Sequence, residues 1–275
     1  MRRKGESKNK MWSGKTGIGI ILILIFIFIG VTNMNAAGFL GIGDTTSWQE
    51  EVLLHDGSKI IVDRWQKRGG PHTLGERPGI LEYSLSFKHP VTKKTITWKD
   101  GPTEDIRYAN FDPVALHIKG NIPYIIIMTY GCKSFNKWGR PNPPYVIFKY
   151  EGNDWKRIPL SELPSEFINV NLVIDTINDE KYLASQSFIT ADKVKELNKG
   201  LTQEIYKTIV RTPFKQEGDG GCPEMIYDGH GGWTGINAFK RESSYEDCLK
   251  ACKFHSINPE YCPCDRLFKD KNKGE

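Results

Sequence analysis

The chain has 275 residues, enough for one large domain or two small ones with an apolar core. Its hydrophobic fraction of 39% and charged fraction of 26% are globular values and exclude a largely disordered chain. The net charge of +5 belongs to the N-terminus: residues 1–37 carry six basic residues and one acid, which leaves 32 basic and 32 acidic residues elsewhere. A formally neutral remainder gives no electrostatic support for nucleic-acid binding.

The N-terminus combines a basic segment at residues 1–16 with an uncharged apolar run from Gly17 to Val31. This order is typical of a signal peptide or of an N-terminal membrane anchor. Basic residues stay on the cytoplasmic side, so we expect the chain after Val31 to face the periplasm. As a helix the run rises about 22 Å, less than the ~30 Å hydrocarbon core, which suits a signal peptide cleaved near Ala37. The long polar stretch before it favours an uncleaved inner-membrane anchor, in which residues 17–31 contact the membrane.

Residues 32–47 are rich in Gly, Asn and Thr and are interpreted as a linker, and residues 48–212 as a β-rich extracytoplasmic domain with a helical end. In this domain, four pairs of strand-like segments are joined by turn residues. The pairs are 51–55 with 59–62, 81–87 with 95–98, 114–118 with 124–129, and 145–150 with 155–158. Four consecutive hairpins predict an antiparallel meander that closes as a barrel, a sandwich or a few propeller-like blades.

After Pro159 the pattern changes to helix and turn signals. Residues 160–163 predict a short helical turn, and residues 171–176 predict another strand. Thr190 is a good helix cap, and residues 203–210 predict a second short helix. The chain is therefore expected to be mainly β with C-terminal helices, α+β overall, with one transmembrane or signal helix at the N-terminus.

Residues 213–275 form a cysteine-rich C-terminal segment. Its cysteines are Cys222, Cys248, Cys252, Cys262 and Cys264, and Cys132 is remote from them. Ser244 is expected to cap a helix on which Cys248 and Cys252 share one face. The last two cysteines, Cys262 and Cys264, are too close in sequence to form a disulfide with each other without strain. Two disulfides are therefore expected to connect the helix to the chain beside it.

An exported location favours three disulfides, with the connectivity left open. A tetrahedral zinc site built from the four clustered cysteines is the alternative. Because disulfides are preferred, we expect neither a metal nor another cofactor.

Two segments of the chain resemble known groups of proteins. The segment Ser-Tyr-Glu-Asp-Cys-Leu-Lys-Ala-Cys at 244–252 resembles the helix of PAN/apple domains, which carries two cysteines one turn apart. That similarity implies binding of protein or carbohydrate, with no residue-specific role. Residues 50–210, with Leu-His-Asp-Gly-Ser-Lys at 54–59 and Asn-Lys-Trp-Gly-Arg-Pro-Asn-Pro-Pro-Tyr at 136–145, resemble a group of uncharacterised exported proteins of Gram-negative bacteria. This second similarity implies an envelope location and no known activity.

Two basic and aromatic loops are the candidate partner-binding surfaces. Residues 64–72 contribute Trp65 and Arg68, and residues 135–144 contribute Trp138 and Arg140. Trp and Arg are enriched in interface hot spots, and rigid prolines lower the entropic cost of binding. The alternative is that these are solvated loops whose tryptophans cap the sheet.

The residues give less support to a catalytic function than to a binding function. Cys132 could act as a nucleophile with His117, although a disulfide with one of the C-terminal cysteines is the simpler explanation. The His-Gly-Gly sequence that begins at His230 is similar to an esterase oxyanion loop, but no Gly-x-Ser-x-Gly elbow accompanies it. We therefore expect a non-enzymatic binding protein of the cell envelope that recognises a protein partner. An extracytoplasmic hydrolase and an envelope immunity protein are the alternatives.

Overall fold

The computed structural model describes residues 44–215 and 221–269. The predicted anchor or signal peptide at residues 17–31 lies outside the described residues, as does most of the predicted linker. Within the described ranges, no helix has the length and apolar character needed to cross a bilayer. The first strand begins at Thr45, so the last part of the predicted linker is strand instead.

The first sheet has five strands in the order β4-β3-β2-β1-β9. Their bounds are β1 Thr45–Leu53, β2 Lys59–Arg68, β3 Ile80–Lys88, β4 Thr95–Asp100 and β9 Phe188–Ile189. Strands β1 to β4 pair antiparallel in sequence order, and β9 pairs parallel with β1. The β1–β2 turn is closed locally: the backbone N–H of Ser58 donates to the Asp56 carboxylate at 2.9 Å, and Gly57 takes a φ of +86° that favours glycine.

The second sheet has four antiparallel strands in sequence order. Their bounds are β5 Phe111–Lys119, β6 Ile122–Thr129, β7 Tyr145–Glu151 and β8 Asp154–Ile158. All four predicted hairpins are confirmed, and the described part of the chain is mainly β with antiparallel sheets. The meander is interrupted once, because β4 and β5 belong to different sheets.

The apolar core lies between the two sheets. Val62, Leu85 and Phe87 of the first sheet join Ile125 and Ile127 of the second in one buried cluster. Side chains alternate along a strand, so Ile126 points to the other face of β6, where it joins a second buried cluster. This burial on both faces confirms that the apolar segment 124–129 is central in its sheet.

The inner face of β2 changes from apolar to polar along the strand. Ile60 and Val62 are followed on the same face by Arg64, Gln66 and Arg68, all buried. The charges are compensated from other elements: Arg64 pairs with Glu50 at 2.6 Å, and Arg68 pairs with a glutamate of a later helix. One end of the inner face of this sheet is therefore a polar network.

Residues 171–176 do not form the predicted strand. Instead, Asn171 covers the free edge of β5 with its side chain. Its amide oxygen accepts from the Leu116 N–H at 2.8 Å, and its amide nitrogen donates to the Leu116 carbonyl at 2.8 Å. The same nitrogen donates to the Leu53 carbonyl on β1 at 2.9 Å. A side-chain amide here replaces part of a backbone ladder and ties the two sheets together.

The α-helices are short, and two of them begin at the capping residues that the sequence predicts. They are α1 Gly131–Lys137, α2 Glu180–Ser185, α3 Ala191–Asn198, α4 Asn237–Lys240 and α5 Tyr245–Phe254. The Thr190 hydroxyl accepts from the Lys193 N–H, and the Ser244 hydroxyl accepts from the Asp247 N–H, so both predicted caps are confirmed.

Two other helical predictions fall at segments with 3-10 turns. Residues 160–162 form one, as expected, whereas residues 203–210 contain only the turn at Glu204–Tyr206. The Tyr145 hydroxyl lies 3.1 Å from the Ile205 carbonyl and accepts from the Val210 N–H at 3.3 Å. These contacts hold the chain extended after the turn, so the predicted helix is wrong beyond it.

Residues 221–269, the C-terminal module, contain a small hairpin and two helices. The hairpin pairs β10 Met225–Tyr227 with β11 Trp233–Gly235. The six cysteines form three disulfides, Cys132–Cys222, Cys248–Cys264 and Cys252–Cys262. The predicted disulfides are confirmed, and two of them connect α5 to the chain that follows it, as expected. The zinc alternative does not fit, because a thiolate ligand requires a reduced sulfur.

Candidate functional site

Two of the candidate partner-binding residues lie on β2, and they face opposite ways. The Arg68 side chain is 3% exposed and its Nε donates to Glu180 at 2.7 Å. It is not available to a partner, so its assignment to a binding loop is wrong. Trp65 lies on the outer face, half-buried between Ser47 on β1 and Ser84 on β3.

The second candidate loop is occupied by internal contacts. The Trp138 ring packs against Phe111 at 4.7 Å between ring centroids, and the Arg157 guanidinium lies 5.4 Å from its centroid. Arg140 donates through Nη1 to the Cys222 carbonyl at 3.0 Å. The tryptophan therefore packs against the core, and the arginine fastens the C-terminal module. Both side chains are half-buried, so the hot spot at this pair stays a prediction, and these contacts favour the alternative of a loop whose tryptophan caps the sheet.

The residues proposed for catalysis are engaged elsewhere. Cys132 is bonded to Cys222 and has no thiolate to offer. His117 is buried, and its Nε2 contacts the Asn169 carbonyl at 2.9 Å. Burial lowers the pKa of His117 to about 4, so the ring is neutral near pH 7. No cysteine and histidine pair of the required kind remains at this position.

The His230 loop is the turn between β10 and β11, and its amide groups are already satisfied. The Asp228 carboxylate accepts from the His230 N–H at 2.6 Å and from the Gly232 N–H at 2.9 Å. The Gly231 N–H donates to the Tyr227 hydroxyl at 3.2 Å. An oxyanion hole requires free donors, so the loop does not act as one. Glycine at 232 is required because a Cβ there would lie 2.0 Å from the Asp228 carboxylate.

A concave site of about 610 Å³ lies where four separate segments meet, and we name it the Tyr130 cleft. The segments are the β2–β3 loop (residues 69–79), the β4–β5 connection (residues 101–110), Tyr130 with the start of α1, and the β10–β11 turn. Residues that line it include Pro71, Ile106, Arg107, Tyr108, Tyr130 and Lys133. Its volume is in the range of small-molecule sites, about 300–1,000 Å³.

Glycines at the base of the β2–β3 loop hold the Tyr108 ring in place. The Gly69 N–H donates to the Gly79 carbonyl at 3.1 Å and closes the loop. A Cβ at Gly70 would lie 3.0 Å from a carbon of the Tyr108 ring, and one at Gly79 would lie 3.1 Å from it. The ring therefore fits between two stretches of bare backbone, and its position in the cleft is fixed by the loop.

The C-terminal module supplies another wall of the cleft. Trp233 donates through its indole N–H to the Asp105 carbonyl at 3.2 Å, and a Cβ at Gly231 would lie 3.1 Å from the Glu104 carbonyl. The Cys132–Cys222 disulfide joins this module to α1 at the same place. The cleft is therefore complete only when the module is docked.

The acidic group of the cleft is neutralised from within the fold. Asp105 accepts hydrogen bonds from Lys137 at 2.8 Å and from the Thr103 hydroxyl at 2.8 Å. Burial acts to raise the pKa of Asp105, but these hydrogen bonds hold it below the usual value, so the carboxylate is charged and paired. By contrast, Arg107 and Lys133 are exposed and have no ion-pair partner within residues 44–215 and 221–269.

A polar network lies beneath the cleft. Arg68 donates through Nη1 to the Pro78 carbonyl at the base of the loop at 2.7 Å, while its buried Nη2 has no hydrogen-bond partner. Burial, together with the nearby Asp112 carboxyl, raises the pKa of Tyr130. Burial also raises the pKa of Asp112 itself to about 7. The hydroxyl of Tyr130 thus stays protonated at neutral pH, as a hydrogen-bond donor.

No protein-family model matches the chain, and the comparisons with curated proteins and with solved structures find no match either. The residues of the cleft are therefore the basis for inferring a function. Sequence reasoning missed Tyr108, Tyr130, Arg107 and Lys133. One local signal was present in the sequence, namely the glycines at the two ends of the β2–β3 loop, Gly69-Gly70 and Gly79. Glycine at such positions indicates that another group approaches the backbone closely.

Proposed function

We propose that the protein is a non-enzymatic binding protein of the cell envelope whose ligand occupies the Tyr130 cleft. The observation that carries this proposal is the cleft itself, in which aromatic rings are fixed by the fold and two exposed cations have no ion-pair partner in the described part of the chain. Concave sites with a partly apolar lining and a few convergent polar groups are the usual form of ligand sites.

The proposed location in the envelope is supported by the N-terminal basic and apolar segments and by three disulfides. The scaffold that we infer is a sandwich, because two separate sheets contribute to one buried cluster between them. A barrel or a set of propeller blades would distribute the strands differently. Loops at one end of such a scaffold can then carry the ligand site.

A binding function is favoured over the hydrolase alternative by the state of the candidate catalytic groups. Cys132 is in a disulfide, and the amides of the His230 loop donate to Asp228 and Tyr227. Neither nucleophile nor oxyanion donor remains from that hypothesis. The protein partner expected from the sequence is replaced in this proposal by a ligand that fits the cleft.

The test uses a photo-crosslinking amino acid in the full-length chain, in intact envelopes. It is placed at Pro71, which is exposed at the cleft, and at Lys156 as the matched control, an exposed position on β8. We expect a discrete adduct from position 71 and none from position 156. Equal adducts at both positions, or none at position 71, would overturn the proposal.

A further inference from the structure

We infer that the Tyr130 cleft binds a small anionic ligand, in which a carboxylate or phosphate group pairs with Arg107 and Lys133 and an attached sugar-sized ring packs against Tyr108 and Tyr130. This inference rests on the proposed function and specifies its ligand class. Three features of the site lead to it: the aromatic lining, the two unpaired cations and an unsatisfied donor beneath the cleft.

The lining provides a preformed surface for a ring. Ile106 is buried, and Tyr108 and Tyr130 are half-buried, so each presents one side to the cleft while the fold holds the other. Because Gly70 and Gly79 flank the Tyr108 ring closely, it does not have to be ordered when a ligand binds. A fixed contact surface lowers the entropic cost of association.

The charges of the cleft select for a negative group. Two basic residues near the cleft are paired within the fold: Arg77 with Glu180 and Asp44, and Lys137 with Asp105. Arg107 and Lys133 remain, and both are exposed at the cleft. A guanidinium group binds planar oxyanions through two parallel hydrogen bonds, and an ammonium group adds a point charge. Among the described residues that line the cleft, the acid is Asp105, and its charge is already paired with Lys137.

The donor beneath the cleft is independent of these exposed residues. Arg68 is 3% exposed, and Nη2 of its guanidinium lacks a hydrogen-bond partner although Nε and Nη1 are satisfied. Its charge acts on Tyr130, whose pKa it lowers in opposition to burial. Arg68 and Arg77 both contact the carboxylate of Glu180, and Arg77 also pairs with Asp44. The unsatisfied Nη2 of Arg68 lies in a poorly solvated place, where a charge acts more strongly than in water.

The size of the site limits the ligand. A volume of about 610 Å³ suits one or two rings, not a folded protein surface or a nucleic-acid strand. Uronic acids and sugar phosphates share the required chemistry, which is a ring of moderate polarity joined to an oxyanion. The two sources differ in the geometry and charge of the anion, so a titration with one of each separates them.

The experiment is calorimetric titration of the full-length chain with glucuronate, glucose 6-phosphate and neutral glucose. We expect one of the two anionic ligands to bind at least tenfold more tightly than glucose, with an affinity that falls as salt is added. The variant Arg107→Gln/Lys133→Gln should lose at least tenfold in affinity for that ligand. The matched control, Lys195→Gln/Lys199→Gln, makes the same change of charge on exposed positions of the α3 region and should bind as the wild type does.

Equal affinity for glucose and for both anions would overturn the inference, and so would an equal loss in the two double variants. Absence of binding by all three ligands would also overturn it. These failures are distinct from failure of the proposed function, because an adduct at position 71 in intact envelopes would still identify a cleft ligand of another class. Unchanged circular dichroism of each variant shows that it is folded.

Discussion

Glu180 is the point at which the buried polar network is most sensitive to a single substitution. It is the first residue of α2 and accepts from four side chains: the Thr46 hydroxyl at 2.8 Å, the Gln66 amide at 2.8 Å, Arg68 Nε at 2.7 Å and Arg77 Nη2 at 2.5 Å. Glu180→Ala would leave Arg68 in the interior without a counter-charge. Removing one partner of a buried ion pair costs about 3–5 kcal/mol, a large part of the 5–15 kcal/mol of a typical domain.

The size of this loss in free energy of unfolding follows from the burial of both side chains of the pair. The side chains of Arg68 and Glu180 are each 3% exposed, so water cannot take the place of the lost carboxylate. An exposed pair provides the control: Glu196 bonds Lys193 within α3, and its side chain is 66% exposed. Glu196→Ala should cost at most about 1 kcal/mol, because exposed ion pairs contribute little.

The assay is equilibrium unfolding of the full-length chain in urea, followed by far-ultraviolet circular dichroism. A loss below about 1 kcal/mol in Glu180→Ala, or a loss no larger than that of Glu196→Ala, would refute the reasoning, since a buried pair is worth several times an exposed one. A double variant sharpens the test. Glu180→Ala/Arg68→Met should be more stable than Glu180→Ala alone, because it also removes the uncompensated charge; a further loss would contradict that account.

Three other predictions follow from contacts described above. Asn171→Ala should cost about 2–3 kcal/mol in urea unfolding, because it leaves two buried backbone groups of Leu116 unsatisfied at roughly 1 kcal/mol or more each and removes a part-buried bond to the Leu53 carbonyl. Asn178→Ala, at an exposed turn, should cost under about 1 kcal/mol, and equal losses would contradict the edge-covering role. Burial raises the pKa of Asp112 from 3.8 to about 7, so the folded state keeps a proton that the unfolded chain releases, and stability falls between those pH values. The free energy of unfolding of Asp112→Asn, relative to that of the wild type, should therefore increase from pH 4 to pH 7. A difference between the two proteins that does not change with pH would rule this out. Trp138→Ala should lower the melting temperature and cost about 3–5 kcal/mol, since its ring packs on Phe111; an unchanged melting temperature would restore the hot-spot interpretation.

The hairpins were predictable because their signals are local. In β2 the period of two marks one buried face, and the Asp56-Gly57 turn needs only neighbouring residues for its geometry. The same local interpretation placed Arg68 in a loop. A buried position for a charged residue can be predicted only when the residue that compensates its charge is known. That partner, Glu180, lies 112 residues away along the chain.

The cleft was not predictable for a related reason. Its lining comes from Pro71, residues 105–108, residues 130–133 and the turn at residues 231–232, and no one of these segments has a binding pattern of its own. Cysteine chemistry indicated that Cys132 has a partner among the C-terminal cysteines but could not choose it. The choice of Cys222 depends on how the C-terminal module docks, which is a property of the folded chain.

The order of the disulfides along the chain has a consequence for biogenesis. If the chain after residue 31 crosses a membrane in sequence order, Cys132 emerges first and Cys222 is the next cysteine to follow, so oxidation in order of emergence forms this native bond. The same rule fails for the next pair, because it would join Cys248 to Cys252, whereas the native bonds are nested and join them to Cys264 and Cys262. Correct oxidation of the C-terminal module therefore requires either that α5 forms before its thiols are oxidised or that a thiol–disulfide isomerase reshuffles them afterwards. The part of the module around α5 is thus the last to reach its native disulfides, and export to a compartment without isomerase activity would yield chains with a complete sheet scaffold and a mispaired C-terminal helix.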